Sequence, residues 1–128
     1  MRENSKSRNR VRTARRLKAE VISHYGGQAC VCCGETGFLF LTIDHIDSKG
    51  AKHRKEAGLP VAGLYKWLKK NSFPPGFRVL CWNCNRGRHF NGGECPHKDP
   101  DGWERDLLRR FPILRRGRKP AERGRPSL

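Results

Sequence analysis

Three stretches decide the fold: Cys30-Val31-Cys32-Cys33, then Phe38-Leu39-Phe40-Leu41-Thr42-Ile43-Asp44-His45, and further on Cys81-Trp82-Asn83-Cys84. The two Cys-x-x-Cys pairs offer four thiolates, the donor set of a tetrahedral structural zinc site. Cys30, Cys33, Cys81 and Cys84 are the expected zinc ligands. A site closed by four thiolates keeps no open position for chemistry, so any catalysis falls to residues between the pairs.

Composition agrees with a metal staple. The chain has 128 residues, room for one domain, and only 35% hydrophobic content, so its core is modest and zinc would add cohesion. The formal net charge is +16; four thiolates and one Zn²⁺ lower it to about +14. A basic excess of that size in so short a chain predicts a polyanionic partner, nucleic acid first and an anionic membrane surface second. No apolar stretch approaches the roughly 20 residues of a membrane span. The basic first residues have no apolar segment behind them, so a secretory signal is not expected. Paired cysteines without one suit metal binding in a reducing, cytoplasmic compartment better than disulfides.

The pattern divides the chain into a disordered basic arm (1–9), a zinc-stapled domain with N- and C-terminal helices (10–112) and a basic tail (113–128). Val11, Ala14, Leu17, Val21, Ile22 and Tyr25 follow a helical period that Gly26-Gly27 ends. Arg12, Arg15 and Arg16 lie on that helix, either as a solvated face or as phosphate contacts. Phe38–Ile43 reads as a short strand delivering Asp44-His45, and Gly76–Leu80 as a second strand entering the second cysteine pair. Between them, Asp47–Glu56 reads as a basic loop, and Pro60–Lys70 as a helix with Leu64, Trp67 and Leu68 on one face. Asn85–Phe90 reads as a short helix. Another is expected from about Asp101 to Phe111, with Trp103, Leu107, Leu108 and Phe111 turned inward. The fold class is α+β.

Strand, loop, strand, helix, with Asp-His ending the first strand and Cys-x-x-Cys-Asn opening the helix, resembles the HNH endonucleases and their ββα-metal fold. The likeness is closest to small zinc-stapled HNH proteins of phages and mobile elements. It rests on Tyr25-Gly-Gly-Gln-Ala-Cys-Val-Cys-Cys-Gly34, Ile43-Asp-His-Ile46, Val79-Leu-Cys-Trp-Asn-Cys-Asn85 and Cys95-Pro-His97. It implies a metal-dependent endonuclease hydrolysing DNA phosphodiester bonds in a bacterial or phage-infected cell. His45 would be the general base, and Asp44 with Asn85 or His89 would hold Mg²⁺ or another divalent ion; His53 is a further candidate ligand. Arg54, Arg86 and Arg88 are candidate DNA contacts.

The chemistry suits these residue types. Imidazole has an unperturbed pKa near neutrality and can take a proton from water. A hard cation can bridge the scissile phosphate and the leaving oxygen. Adjacent strand residues point to opposite faces, so twist at the strand end must bring base and cation to one phosphate.

The chain departs from the family where the middle asparagine usually sits, about five residues before the second cysteine pair: Gly76 stands there. Asn71 could reach the loop; otherwise the support orienting His45 is missing or comes from His53 or Asn83. Cys32 reads as a spectator and Cys95-Pro96-His97 as packing against the core, the alternatives being an exchange of roles with Cys30 for the first and, for the second, a cover over the zinc site or a weak second metal site. Trp82 and Phe90 read as core aromatics rather than base-stacking surfaces. In the tail, Arg123-Gly124-Arg125-Pro126 is similar to the core of an AT-hook, in which glycine lets an extended backbone enter a narrow minor groove flanked by arginines; the alternative is a cationic tether to phosphates. For the whole chain the alternatives are a non-catalytic zinc-ribbon DNA-binding accessory protein and an RNA-binding structural protein, which leaves Asp44-His45 without a role.

Overall fold

The apolar run that begins at Phe38 splits into two conformations. In the computed structural model, which describes residues 5–47, 49–60 and 63–112, Phe38–Phe40 form one turn of 3-10 helix and only Leu41–His45 form a strand, β1. The expected strand over Phe38–Ile43 is corrected accordingly. Leu39 and Phe40 are exposed, whereas Leu41, Thr42 and Ile43 are buried, so no single extended face serves the whole run. Gly37 lets Phe40 fold back over it: a Cβ there would lie 2.6 Å from the Phe40 ring.

The second strand, β2, spans Phe77–Cys81 and pairs antiparallel with β1, setting Leu41 opposite Cys81, Asp44 opposite Arg78 and His45 opposite Phe77. Helix α4 follows without a loop, at Trp82–Phe90, three residues before the expected start. Cys81 makes the sharp junction possible because its sulfur accepts the Cys84 N–H at 3.4 Å and caps the helix. The helix packs against both strands, giving a strand-strand-helix unit.

The first helix, α1, runs Ser5–His24 and packs on α3 (Leu64–Lys70) through Val21, Ile22 and Leu68, all buried. Residues 5–9 are therefore helical, not part of a disordered arm. Once the apolar turns are nucleated, adding exposed polar residues to the helix end is cheap. The insertion between the strands carries a further helix, α2, at Gly50–Glu56, where a loop was expected. None of its residues is buried and it has no apolar stripe; a tertiary contact stands in for periodicity, the His53 ring meeting Trp67 edge-on at 4.2 Å.

After α3 the chain turns through Ser72 and Phe73, both left-handed, with φ of 56° and 53°. Such residues cost roughly 1–2 kcal/mol each. They are held by the Phe73 N–H to Leu68 carbonyl bond at 2.8 Å, by stacking of Phe73 on His24 at 3.6 Å and by the Tyr25 hydroxyl donating to the Pro74 carbonyl at 2.6 Å.

Compact units divide between His97 and Lys98. In the second unit, α5 (Pro100–Arg110) is capped by the Asp99 carboxylate, which accepts the Gly102 N–H at 2.9 Å. None of its residues is buried, and Trp103 and Phe111 are exposed, so the expected inward face is only half covered at Leu107 and Leu108. Residues 113–128, including Arg123, Gly124, Arg125 and Pro126, lie outside the described residues. Among the described residues no helix is long and apolar enough to cross a membrane.

Candidate functional site

Cys30, Cys33, Cys81 and Cys84 bring their sulfurs within 4.8 Å of one another, a cluster that could hold a metal ion such as zinc. Two elements assemble it. The turn after Cys30 closes through the Gly34 N–H to Cys30 carbonyl bond at 2.9 Å and docks on β2 through the Val31 N–H to Val79 carbonyl bond at 3.1 Å. The junction of β2 and α4 supplies Cys81 and Cys84. Cys33 and Cys81 sulfurs stand 3.6 Å apart, close to the roughly 3.8 Å edge of a tetrahedron built on Zn–S bonds of about 2.3 Å. Burial, reinforced by the neighbouring thiols, pushes the Cys84 thiol up. Cys30 goes the other way: burial would raise it, but backbone hydrogen bonds at Cys33, Cys81 and Cys32 outweigh that and hold it at about 7. A bound cation would bring every one of these thiols to the thiolate form.

Cys95 packs in the core cluster, as expected, while Cys32 and His97 are exposed. Cys32, Cys84, Cys95 and His97 form a second group whose ligand atoms also lie within 4.8 Å of one another.

On the other side of the hairpin, His45 ends β1 nearly buried, at 9% exposure. Its Nε2 lies 3.0 Å from Nδ1 of His53, its ring packs on Phe77 at 4.7 Å, and the Cα of Gly50 faces its Nδ1. Burial lowers the His45 pKa first, and the nearby His53 lowers it further, with Asp44 and Asp47 opposing. A cleft of about 270 Å³ opens beside it, bordered by Asp47, Lys49, Lys52, Glu56 and Pro75. Asn71 is not the support of His45; its side chain donates to the Trp67 carbonyl at 2.8 Å and caps α3. Asn83 is exposed on α4. His53 makes the contact.

Asp44 points to the opposite face. Its Oδ2 accepts from Arg78 Nε at 3.0 Å and from Arg88 at 2.6 Å, with only 14% of the side chain exposed. Arg88 also donates to the Ile46 and Gly93 carbonyls, at 3.3 and 2.8 Å. Its guanidinium ties β1 to α4 and the loop beyond, so it is not a free phosphate contact. Asn85 is half-buried and His89 is exposed, its ring edge-on to Phe90 at 5.5 Å. Among the described residues, only the cysteine clusters gather three or more His, Cys, Asp or Glu ligand atoms.

Arg12, Arg15 and Arg16 are exposed on α1, and Arg86 is exposed on α4 with its guanidinium 5.6 Å from the Phe90 ring; Arg54 is half-buried. Trp82 and Phe90, expected in the core, are 53% and 77% exposed. The helix turns them away because Cys84 claims its inner face. Arg78 was missed by sequence reasoning, since only the strand register reveals it opposite Asp44.

No family model, curated protein or solved structure matches the chain.

Proposed function

We propose that the protein is an HNH-type endonuclease that hydrolyses DNA phosphodiester bonds, with His45 as general base. The observation carrying this reading is the His45–His53 pair beside a cleft edged by lysines. Because Nε2 of His45 is engaged by His53, Nδ1 is the nitrogen that receives the proton from water. That requires Nε2 to carry its hydrogen and donate to His53 Nδ1, which puts the His53 proton on Nε2, a buried nitrogen with no partner among the described residues. His53 thus occupies the orienting position for which the HNH pattern uses asparagine, and it goes on accepting when His45 becomes imidazolium. The downward shift of His45 keeps it neutral and ready to accept at pH 7. Lys49 and Lys52 supply positive charge where a phosphate would enter.

The divalent cation that the resemblance implies does not find a ready donor set. Asp44 holds two guanidiniums, and a cation there has to displace one or share the carboxylate with it.

The same clamp favours a second reading, a non-catalytic zinc-ribbon module that binds DNA and uses Asp44 to pin α4 to the sheet. Supercoiled plasmid separates the two. Incubation with Mg²⁺, Mn²⁺ or Ni²⁺ is expected to yield nicked or linear DNA, whereas a binding module shifts the plasmid and leaves it supercoiled.

Gly50 gives a local test. A Cβ there would sit 3.0 Å from His45 Nδ1, the nitrogen that must stay open. Gly50→Ala is expected to slow plasmid cleavage by about tenfold or more while zinc content and the melting transition stay near those of the unaltered protein. Undiminished cleavage would show that Nδ1 is not the base.

A further inference from the structure

We infer that the protein holds two zinc ions in one binuclear cluster, with the Cys84 sulfur bridging them. Cys30, Cys33, Cys81 and Cys84 hold the first ion; Cys32, Cys84, Cys95 and His97 hold the second. The two groups share one residue, Cys84, and between them use all six cysteines of the chain. Two tetrahedral ions need eight donor positions, and seven residues fill them when one thiolate serves both.

The positions fit. Cys84 is fully buried at the first turn of α4, where a sulfur can have ions on two sides without meeting solvent. His97 Nδ1 lies 3.2 Å from Cys84 Sγ and 3.5 Å from Cys95 Sγ, near the roughly 3.5 Å between nitrogen and sulfur donors around one zinc with bonds of about 2.1 and 2.3 Å. Cys95 is buried, at 6% exposure, in a segment brought against α4 by Gly87, where a Cβ would meet the Pro96 ring at 3.1 Å. The loop before it is tied down by Arg88 Nε donating to the Gly93 carbonyl and by the Gly93 N–H donating to the Arg88 carbonyl.

Charge also favours the second ion. Binding it ionises the thiols of Cys32 and Cys95 and releases two protons, so Zn²⁺ and two new thiolates cancel while His97 remains neutral. The second ion therefore adds no net charge beside Cys84 and Cys95, the two buried ligands of that group.

Zinc counting on the purified full-length protein tests this. The expected content is two ions per chain, falling to one in Cys32→Ser and in His97→Ala, with far-UV circular dichroism retained because the first site is complete. Gly87→Ala, which touches no ligand, should weaken the second ion selectively against a graded chelator. One ion per chain in the unaltered protein, or two that survive both ligand substitutions, would overturn the inference. The bridge has its own readout. In protein loaded with cadmium-113, the Cys84 β-protons are expected to couple to two cadmium resonances; coupling to one would remove Cys84 as the bridge. None of these measurements involves DNA, so their outcome is separate from that of the cleavage assay.

Discussion

Cys81→Ser is expected to lose the ion held with Cys30, Cys33 and Cys84, and with it the cooperative thermal transition of the first unit. Among the described residues, four of the eleven buried hydrophobic residues in the core cluster are cysteines, namely Cys30, Cys81, Cys84 and Cys95. The remaining seven are aliphatic side chains spread over α1, α3 and the two strands. Structural zinc contributes apparent binding free energies of about 10–16 kcal/mol, comparable to the whole stability of about 5–15 kcal/mol of an ordinary domain. Cys81 also caps α4 through its sulfur, and serine is itself a preferred N-cap, so the substitution removes the metal ligand and the cooperative transition it supports while keeping the helix start. Zinc content and a circular dichroism melt report both. A Cys81→Ser chain that melts cooperatively without zinc would show that the aliphatic core suffices.

His45→Gln should reduce plasmid cleavage by at least about 10²-fold, the lower range for loss of a general base. Glutamine keeps a polar side chain of similar reach beside His53 but cannot take up a proton at neutral pH. It is a better choice than alanine, since the His45 ring packs on Phe77 and its removal would leave a hole at the end of the sheet. Zinc content should be unchanged because His45 belongs to neither cysteine group. Cleavage within a few-fold of the unaltered protein would falsify the assignment of His45 as base.

The hairpin and the first cysteine cluster were legible because their signals are local in kind: a fixed spacing of thiols and an apolar segment beside each pair. What stayed hidden depends on partners distant in sequence. Gly50–Glu56 carries no apolar stripe, and only the meeting of His53 with Trp67 and His45 explains its helix. Leu39 and Phe40 read as strand residues because apolar character usually accompanies burial, whereas the chain bends at Gly37 and leaves them outside. Trp82 and Phe90 misled for the same reason. At the candidate site, His45 was visible from its strand-end position, but the arginine clamp on Asp44 required the register that sets Arg78 opposite it. Cys32 and His97 carry no shared spacing that would link them in sequence. Their convergence on Cys84 is a property of the folded chain.

The pairing of Leu41 with Cys81 would give a metal bound at the first cysteine cluster a part in how the chain finds its fold. The two strands are separated by the whole 46–76 insertion, so zipping them requires closing a long loop before any sheet contact rewards it. One cysteine pair lies ahead of β1 and the other at the end of β2, so an ion captured by both closes that same loop. A slip of one residue would turn every β2 side chain to the other face and carry the Cys81 sulfur away from its three companions. A bound ion would therefore act as a proofreader of strand alignment: misregistered hairpins could not complete its coordination, and chains refolding without metal should populate them.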